Sequence, residues 1–169
     1  YHKEGFDVES ILDYVKIHGK LEGYDTGSKI SSEELFTVDC DILIPAGGAA
    51  QITEQNAKQI NARIIAEGAN SPTTPIADKI LYDRNLVILP DILCNGGGVF
   101  VSYLEYAQET QRSQMSQSQV EQSLQERMIE QVDEVFNYAD QNSLSMRQSA
   151  MDIAVRRVAD GLIARGLFP

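Results

Sequence analysis

Basic residues are scarce in this chain of 169: 14 Lys and Arg stand against 25 Asp and Glu, a formal charge of -11. A field of that sign argues against nucleic acid or anionic membrane as a partner unless the cations cluster tightly, and the sequence holds no such cluster. Histidine occurs only at His2 and His18, neither assigned a role, and cysteine only at Cys40 and Cys94. With no Cys-x-x-Cys pair and no neighbouring histidine, neither a metal site nor a catalytic thiol is expected. The two thiols also straddle the predicted sheet, since Cys40 precedes one strand and Cys94 follows another. That places them roughly 15 Å apart at about 3.3 Å per residue, whereas a disulfide needs Cα atoms within about 7 Å. Long apolar runs are missing too. Nothing approaches the ~20 residues of a membrane span, and the opening Tyr1-His2-Lys3-Glu4-Gly5 lacks the apolar centre of a signal peptide. The expectation is a cytoplasmic protein. Position 1 is not methionine and falls in what reads as a loop, so a segment upstream is expected to be missing.

What is present describes one globular domain with a sizeable core, 43% apolar and 23% charged. Asp7 is a good N-cap for a packing helix over 8–18, with Val8, Ile11, Leu12 and Val15 on one face and Gly19 ending it. A loop rich in Gly and Asp follows, and Ser31-Ser32-Glu33-Glu34 forms a capping box before a short helix ending near Phe36. Three short apolar runs, 41–44, 63–66 and 86–89, read as strands buried on both faces. Between them Thr53 is expected to cap a helix to about Ile60. Thr74-Pro75 opens another helix, with Ile76, Ile80 and Leu81 on one face.

Strands alternating with helices at this spacing imply right-handed parallel crossovers and a sheet covered on both faces. The fold class expected is α/β, a partial Rossmann-type parallel sheet with a C-terminal helical segment. Residues 1–107 form the partial dinucleotide-binding domain, and residues 108–169 are helices completing it. In that second part Val120, Leu124, Met128, Val132, Val135, Phe136 and Ala139 hold one stripe. Ser145 and Gln148 cap a last helix bearing Ala150, Met151, Ala154, Val155, Val158 and Leu162, and Gly166 ends it. The polar stretch 108–119 reads as a loop or frayed linker, and Tyr103, Tyr106 and Phe136 as core.

Each strand runs into small residues: Ala46-Gly47-Gly48, Gly68-Ala69-Asn70 and Asn95-Gly96-Gly97-Gly98. Ligands of open α/β sheets bind at the carboxyl ends of strands, so these loops should line one crevice. Three glycines at the start of a helix let a flat ligand approach the backbone. Alone, Asn70 could be a turn residue, the glycines a flexible turn, and Ser102 a hydroxyl bonded to its own helix. Glu67 could suggest a general base, although a strand-end carboxylate more often pairs or faces solvent.

Longer words bear on these alternatives. Glu67-Gly68-Ala69-Asn70-Ser71-Pro72-Thr73-Thr74-Pro75 with Ala77-Asp78, then Leu89-Pro90-Asp91-Ile92-Leu93-Cys94-Asn95-Gly96-Gly97-Gly98-Val99 and Val101-Ser102-Tyr103-Leu104-Glu105, resemble the C-terminal part of glutamate dehydrogenase. Asp41-Ile42-Leu43-Ile44-Pro45-Ala46 and Ala154-Val155-Arg156-Arg157-Val158-Ala159 fit the same pattern, so the resemblance covers nearly the whole chain.

The resemblance implies reversible oxidative deamination of L-glutamate to 2-oxoglutarate and ammonia, with NAD or NADP as cofactor, in a homo-oligomer. It implies that Ala46 and Gly47 lie along the cofactor by their backbone, Asn70 meets the nicotinamide ribose, and Asn95 bonds the nicotinamide carboxamide. Gly97 and Gly98 would admit the ring, Val99 would pack on the substrate chain, and Ser102 would bond the distal carboxylate. The family's Gly-x-Gly-x-x-Gly turn, the acidic ribose reader and the catalytic lysine and aspartate do not occur in these residues. No catalytic residue is therefore assigned, and the chain alone is expected to be inactive. Gly47-Gly48-Ala49-Ala50 departs from the larger or polar residues usual in the family, and the segment after Tyr106 is poor in aromatics. The alternatives are a non-catalytic binding module and a dehydrogenase of another amino acid.

Overall fold

The computed structural model describes residues 1–166. Its elements in chain order are α1 Val8–His18, α2 Ser32–Leu35, β1 Ile42–Leu43, β2 Ile64–Ala66, α3 Pro75–Asp83, β3 Val87–Leu89, α4 Asp91–Cys94, α5 Gly97–Gln111, α6 Gln117–Asn142 and α7 Met146–Arg165. Residues 167–169 of the expected helical segment lie outside the described residues.

The three strands form one parallel sheet in the order β1-β2-β3. This is the expected α/β class, with β1 at an edge. The helix caps also form as the side chains dictate. Asp7 accepts from the backbone N–H groups of Glu9 and Ser10, Ser31 and Glu34 make a reciprocal box, Thr74 accepts from Ala77, and Ser145 and Gln148 make a second box.

The register sorts the strand residues into two rows. Leu43, Ile65 and Ile88 lie side by side on one face, and Ile42, Ile64 and Val87 on the other. The first row joins a core of Phe36, Ile52, Ala57, Ile60, Ala62, Ala77 and Leu81. The second row is poorly covered: Ile64 is half-buried, but Ile42 is 55% exposed and Val87 39%, and Ile44 beyond the strand is 62% exposed. Burial on both faces is therefore corrected to burial on one. A continuous apolar run shows that a segment wants cover, not that the chain supplies it. An open β1 edge beside a poorly covered apolar face invites association. The chain is expected to run as a dimer or larger species in light scattering at high concentration, and a stable monomer there would count against this.

Other expectations are also corrected. No α-helix forms over 53–60, which is a run of turns. Asn56 accepts from the Thr53 N–H at 2.8 Å and donates to the Gln51 carbonyl at 2.8 Å. The Arg84 guanidinium takes the carbonyls of Ala57 and Ile60 at 2.5 and 2.7 Å. Side chains thus fasten the turns at both ends, Asn56 at the start and Arg84 at the close. In α3 the buried residues are Ala77 and Leu81, while Ile76 faces out.

Helix α1 is not a packing helix, for none of its residues is buried. Its inner flank meets only a local aromatic group in which Tyr14 and Tyr24 lie edge to face at 5.2 Å, leaving Val8 and Leu12 exposed. The expected linker over 108–119 is shorter. Helix α5 runs to Gln111, Arg112 takes a left-handed conformation (φ 51°), and Ser116 with Gln119 caps α6. Gln108 helps close this corner by accepting from the Met115 N–H at 2.6 Å.

Helices α6 and α7 pack on each other and, with α4, close a second core of Leu93, Val135 and Ala150. That core is narrower than the stripes suggested. Phe136, Met151, Val155, Val158 and Leu162 are exposed, as are Tyr103 and Tyr106 on α5, so these three aromatics are not core residues. Both helices are amphipathic by sequence, but their neighbours, α5 and α7 for α6 and α4, α6 and β3 for α7, cover only part of each apolar arc.

Candidate functional site

The loops that follow the three strands are stitched together by backbone and side chain. The Ala69 N–H donates to the Pro45 carbonyl at 3.0 Å, and the Glu67 N–H to the Leu89 carbonyl at 3.1 Å. Two more bonds, Ala50 N–H to Ser71 carbonyl and Ile52 N–H to Pro72 carbonyl, both at 2.9 Å, tie the loop after β1 to the loop after β2. Gly68 permits this closeness, because a Cβ there would lie 3.2 Å from the Ala46 Cβ. The carboxyl ends of the strands therefore present one continuous surface.

On it the structure brings Asn70 and Asn95 together. The Asn95 Nδ2 donates to the Asn70 Oδ1 at 2.8 Å, across 25 residues of sequence. That bond leaves the Asn70 amide N–H groups, the Asn95 Oδ1 and one Asn95 N–H for an outside group. Ala46 and Gly47 are exposed on the neighbouring loop, where the Gly47 N–H donates to the Gln51 Oε1 at 3.3 Å.

Gly97 and Gly98 differ from each other. A Cβ on Gly97 would sit 3.2 Å from the Leu124 Cδ1, so its bareness lets α5 approach α6. A Cβ on Gly98 would meet nothing within 4 Å, so this backbone is open to solvent. Val99 and Ser102 lie three residues apart on the outward face of α5, both exposed. The amides and α5 thus form an open wall. A hollow of about 480 Å³ lies elsewhere, among Phe6, Ile11, Leu21 and Tyr24.

Behind the amides is an ionic group in which Arg147 was given no place by sequence reasoning. Its Nη2 meets the Glu67 Oε1 at 2.6 Å, its Nε the Asp78 Oδ1 at 2.8 Å, and its Nη1 the Asp91 Oδ1 at 3.5 Å. Glu67 is fully buried. It pairs, as the bland reading of a strand-end carboxylate held. The Glu67 Oε2 accepts from the Asp91 N–H at 2.9 Å, and the Asp91 Oδ2 from the Ser71 N–H at 2.7 Å. Burial opposes the Arg147 charge, but hydrogen bonds to Glu67 and Asp78 outweigh it and hold the guanidinium above its ordinary value.

A sequence signal for this group existed. Arg147 stands in the first turn of α7, where the helix dipole disfavours a cation, and such a local conflict points to a tertiary anion.

Both thiols are free. Burial, reinforced by Glu67, raises Cys94; burial, with Asp39 and Asp41, raises Cys40. Each is held protonated, contrary to what a nucleophilic thiol needs. Among the described residues no group of His, Cys, Asp and Glu could hold a metal ion, and no helix is long and apolar enough to cross a membrane.

The Glutamate/Leucine/Phenylalanine/Valine dehydrogenase family matches residues 1–166. A glutamate dehydrogenase of Thermotoga maritima is 41% identical over 169 residues, all of this chain and 41% of that protein. An NAD-specific glutamate dehydrogenase of Clostridioides difficile is 36% identical over 168 residues, 99% of this chain and 40% of that protein. A relative named as NADP-specific, from Synechocystis, also matches, at 38% identity over 175 residues, 98% of this chain and 41% of that protein. The hetero-hexameric glutamate dehydrogenase of Thermus thermophilus in its Leu-bound form superposes with a TM-score of 0.90 at 28% identity, covering 100% of this chain and 40% of that one. The chain thus spans 41% and 40% of the two curated relatives described. With the fold, the strand-end surface and a family match over 166 residues in agreement, this chain belongs to the glutamate/leucine/phenylalanine/valine dehydrogenase family.

Proposed function

We propose that this chain is the cofactor-binding part of an NAD(P)-dependent dehydrogenase that converts L-glutamate to 2-oxoglutarate and ammonia. Residues 1–107 form a partial dinucleotide-binding domain and residues 108–169 the helices that complete it. The observation that carries the reading is the Asn70–Asn95 amide pair at the ends of adjacent parallel strands. Its spare donors and acceptor match a carboxamide and a ribose hydroxyl, with Asn95 on the first and Asn70 on the second.

Ala46 and Gly47 follow the dinucleotide with their backbone, and Gly97 and Gly98 keep side chains clear of the ring. Three carboxylates against one guanidinium leave net negative charge behind the amides, which suits the positive charge of an oxidised nicotinamide. When bound, the cofactor supplies the hydride acceptor. Val99 and Ser102 then meet the substrate, one by packing on its chain and the other by bonding its distal carboxylate.

None of these residues moves a proton at the substrate, so the chain alone is expected to be inactive. The intact enzyme is a homo-oligomer. A cytoplasmic setting fits two unpaired thiols.

Steady-state rates of the intact gene product test the reading, with L-glutamate or L-leucine and with each nucleotide. The expected result is glutamate turnover with kcat/KM about a hundredfold or more above leucine. Leucine turnover at an equal or greater rate would move the assignment to another amino acid of the family. Absence of turnover with any amino acid would leave a binding module.

A further inference from the structure

Arg147 touches none of the residues assigned to cofactor or substrate, yet one chain of polar links that ties the two amide loops together leads back to it. Its guanidinium meets Glu67, three residues before Asn70, and Asp91, four residues before Asn95. Glu67 in turn accepts from the Asp91 N–H, and Asp91 accepts from the N–H of Ser71, the residue after Asn70. The Asn95 N–H closes the circuit on the Asp91 carbonyl at 3.0 Å. Asp78, bound by the Nε of Arg147 at 2.8 Å, anchors the guanidinium plane from α3.

We propose that Arg147 is a positioning residue for hydride transfer: through Glu67 and Asp91 it sets the separation and tilt of the Asn70 and Asn95 amides. The inference rests on the assignment of those amides to the dinucleotide. The guanidinium spreads its donors over three nitrogens in a fixed plane, one to each carboxylate, whereas a lysine ammonium gathers its three donors on one atom and does not reproduce that spacing. Shape and charge thus have separable consequences. If the network served stability alone, charge would suffice. If it positions the amides, the fork is needed.

The test uses the intact gene product and three variants, R147K, E67Q and N95A, read with protio and 2-deuterio L-glutamate and with folding followed by circular dichroism and melting. A displacement on the order of 1 Å in a reacting assembly costs up to about a hundredfold in rate. R147K is therefore expected to fold, to lose about tenfold or more in kcat, and to show a larger primary deuterium isotope effect, while KM for glutamate stays within about twofold. E67Q keeps the side-chain volume but has one carbonyl for the two bonds Glu67 accepts, and it should behave in the same way.

A folded R147K or E67Q with the parent kcat and isotope effect overturns the proposal, as does failure of both to fold, which would assign the network to stability alone. N95A separates the two levels of argument. If N95A leaves the cofactor KM and the isotope effect unchanged, the cofactor assignment itself fails. If N95A is impaired and the folded R147K is not, positioning alone fails.

Discussion

Replacing Arg147 with methionine is expected to lower the unfolding free energy by about 3–5 kcal/mol, because it strands a buried carboxylate without its cation. Glu67 is 0% exposed, and Arg147, itself 25% exposed, is its ion-pair partner at 2.6 Å. A fold of this size has roughly 5–15 kcal/mol in total, so the variant should unfold at far lower urea. The loss should be flat with pH around neutrality. The sign follows from the direction of the shift: a cation whose folded value lies above its unfolded one contributes fully below the unfolded value. That contribution disappears only as pH rises through the folded one, far into the alkaline range. Pairing the change with Glu67→Gln should recover part of the loss, since the stranded charge then goes too. A double-mutant cycle in urea measures that recovery.

Ile65→Ala should cost about 2–5 kcal/mol by opening a cavity under the central strand. Ile65 is fully buried in β2, between Leu43 and Ile88 in the register, and Glu67 follows two residues later on the same face. The same truncation at Ile42, 55% exposed on the open face, should change stability by less than about 0.5 kcal/mol in the monomer. Urea midpoints of the two variants at low protein concentration check the contrast. Equal losses would mean that the second face is covered after all.

Local chemistry made part of this molecule legible before any coordinates. The caps at Asp7, Ser31, Thr74 and Ser145 act within one turn, so residue type and spacing suffice to find them. Asn70 and Asn95 were found because both follow apolar strands, and parallel strands bring their carboxyl ends together. Arg84 and Arg147 could not be paired with their targets this way. Arg84 fastens the turns over 53–60 from 27 residues away, and Arg147 reaches Glu67 across 80. The open sheet face was missed for a related reason. Ile42 and Ile44 look buried by type, but burial depends on a covering layer that a run of apolar letters does not contain.

The central claim is that Asn70 and Asn95 hold the nicotinamide end of a dinucleotide on a wall that is only part of a site. The most direct measurement titrates NAD into this chain and follows the side-chain amide resonances of the two asparagines by NMR. The account predicts progressive shifts of both amides with an affinity far weaker than micromolar. Silent Asn70 and Asn95 amides while other residues respond, or saturation at low-micromolar NAD, would contradict it.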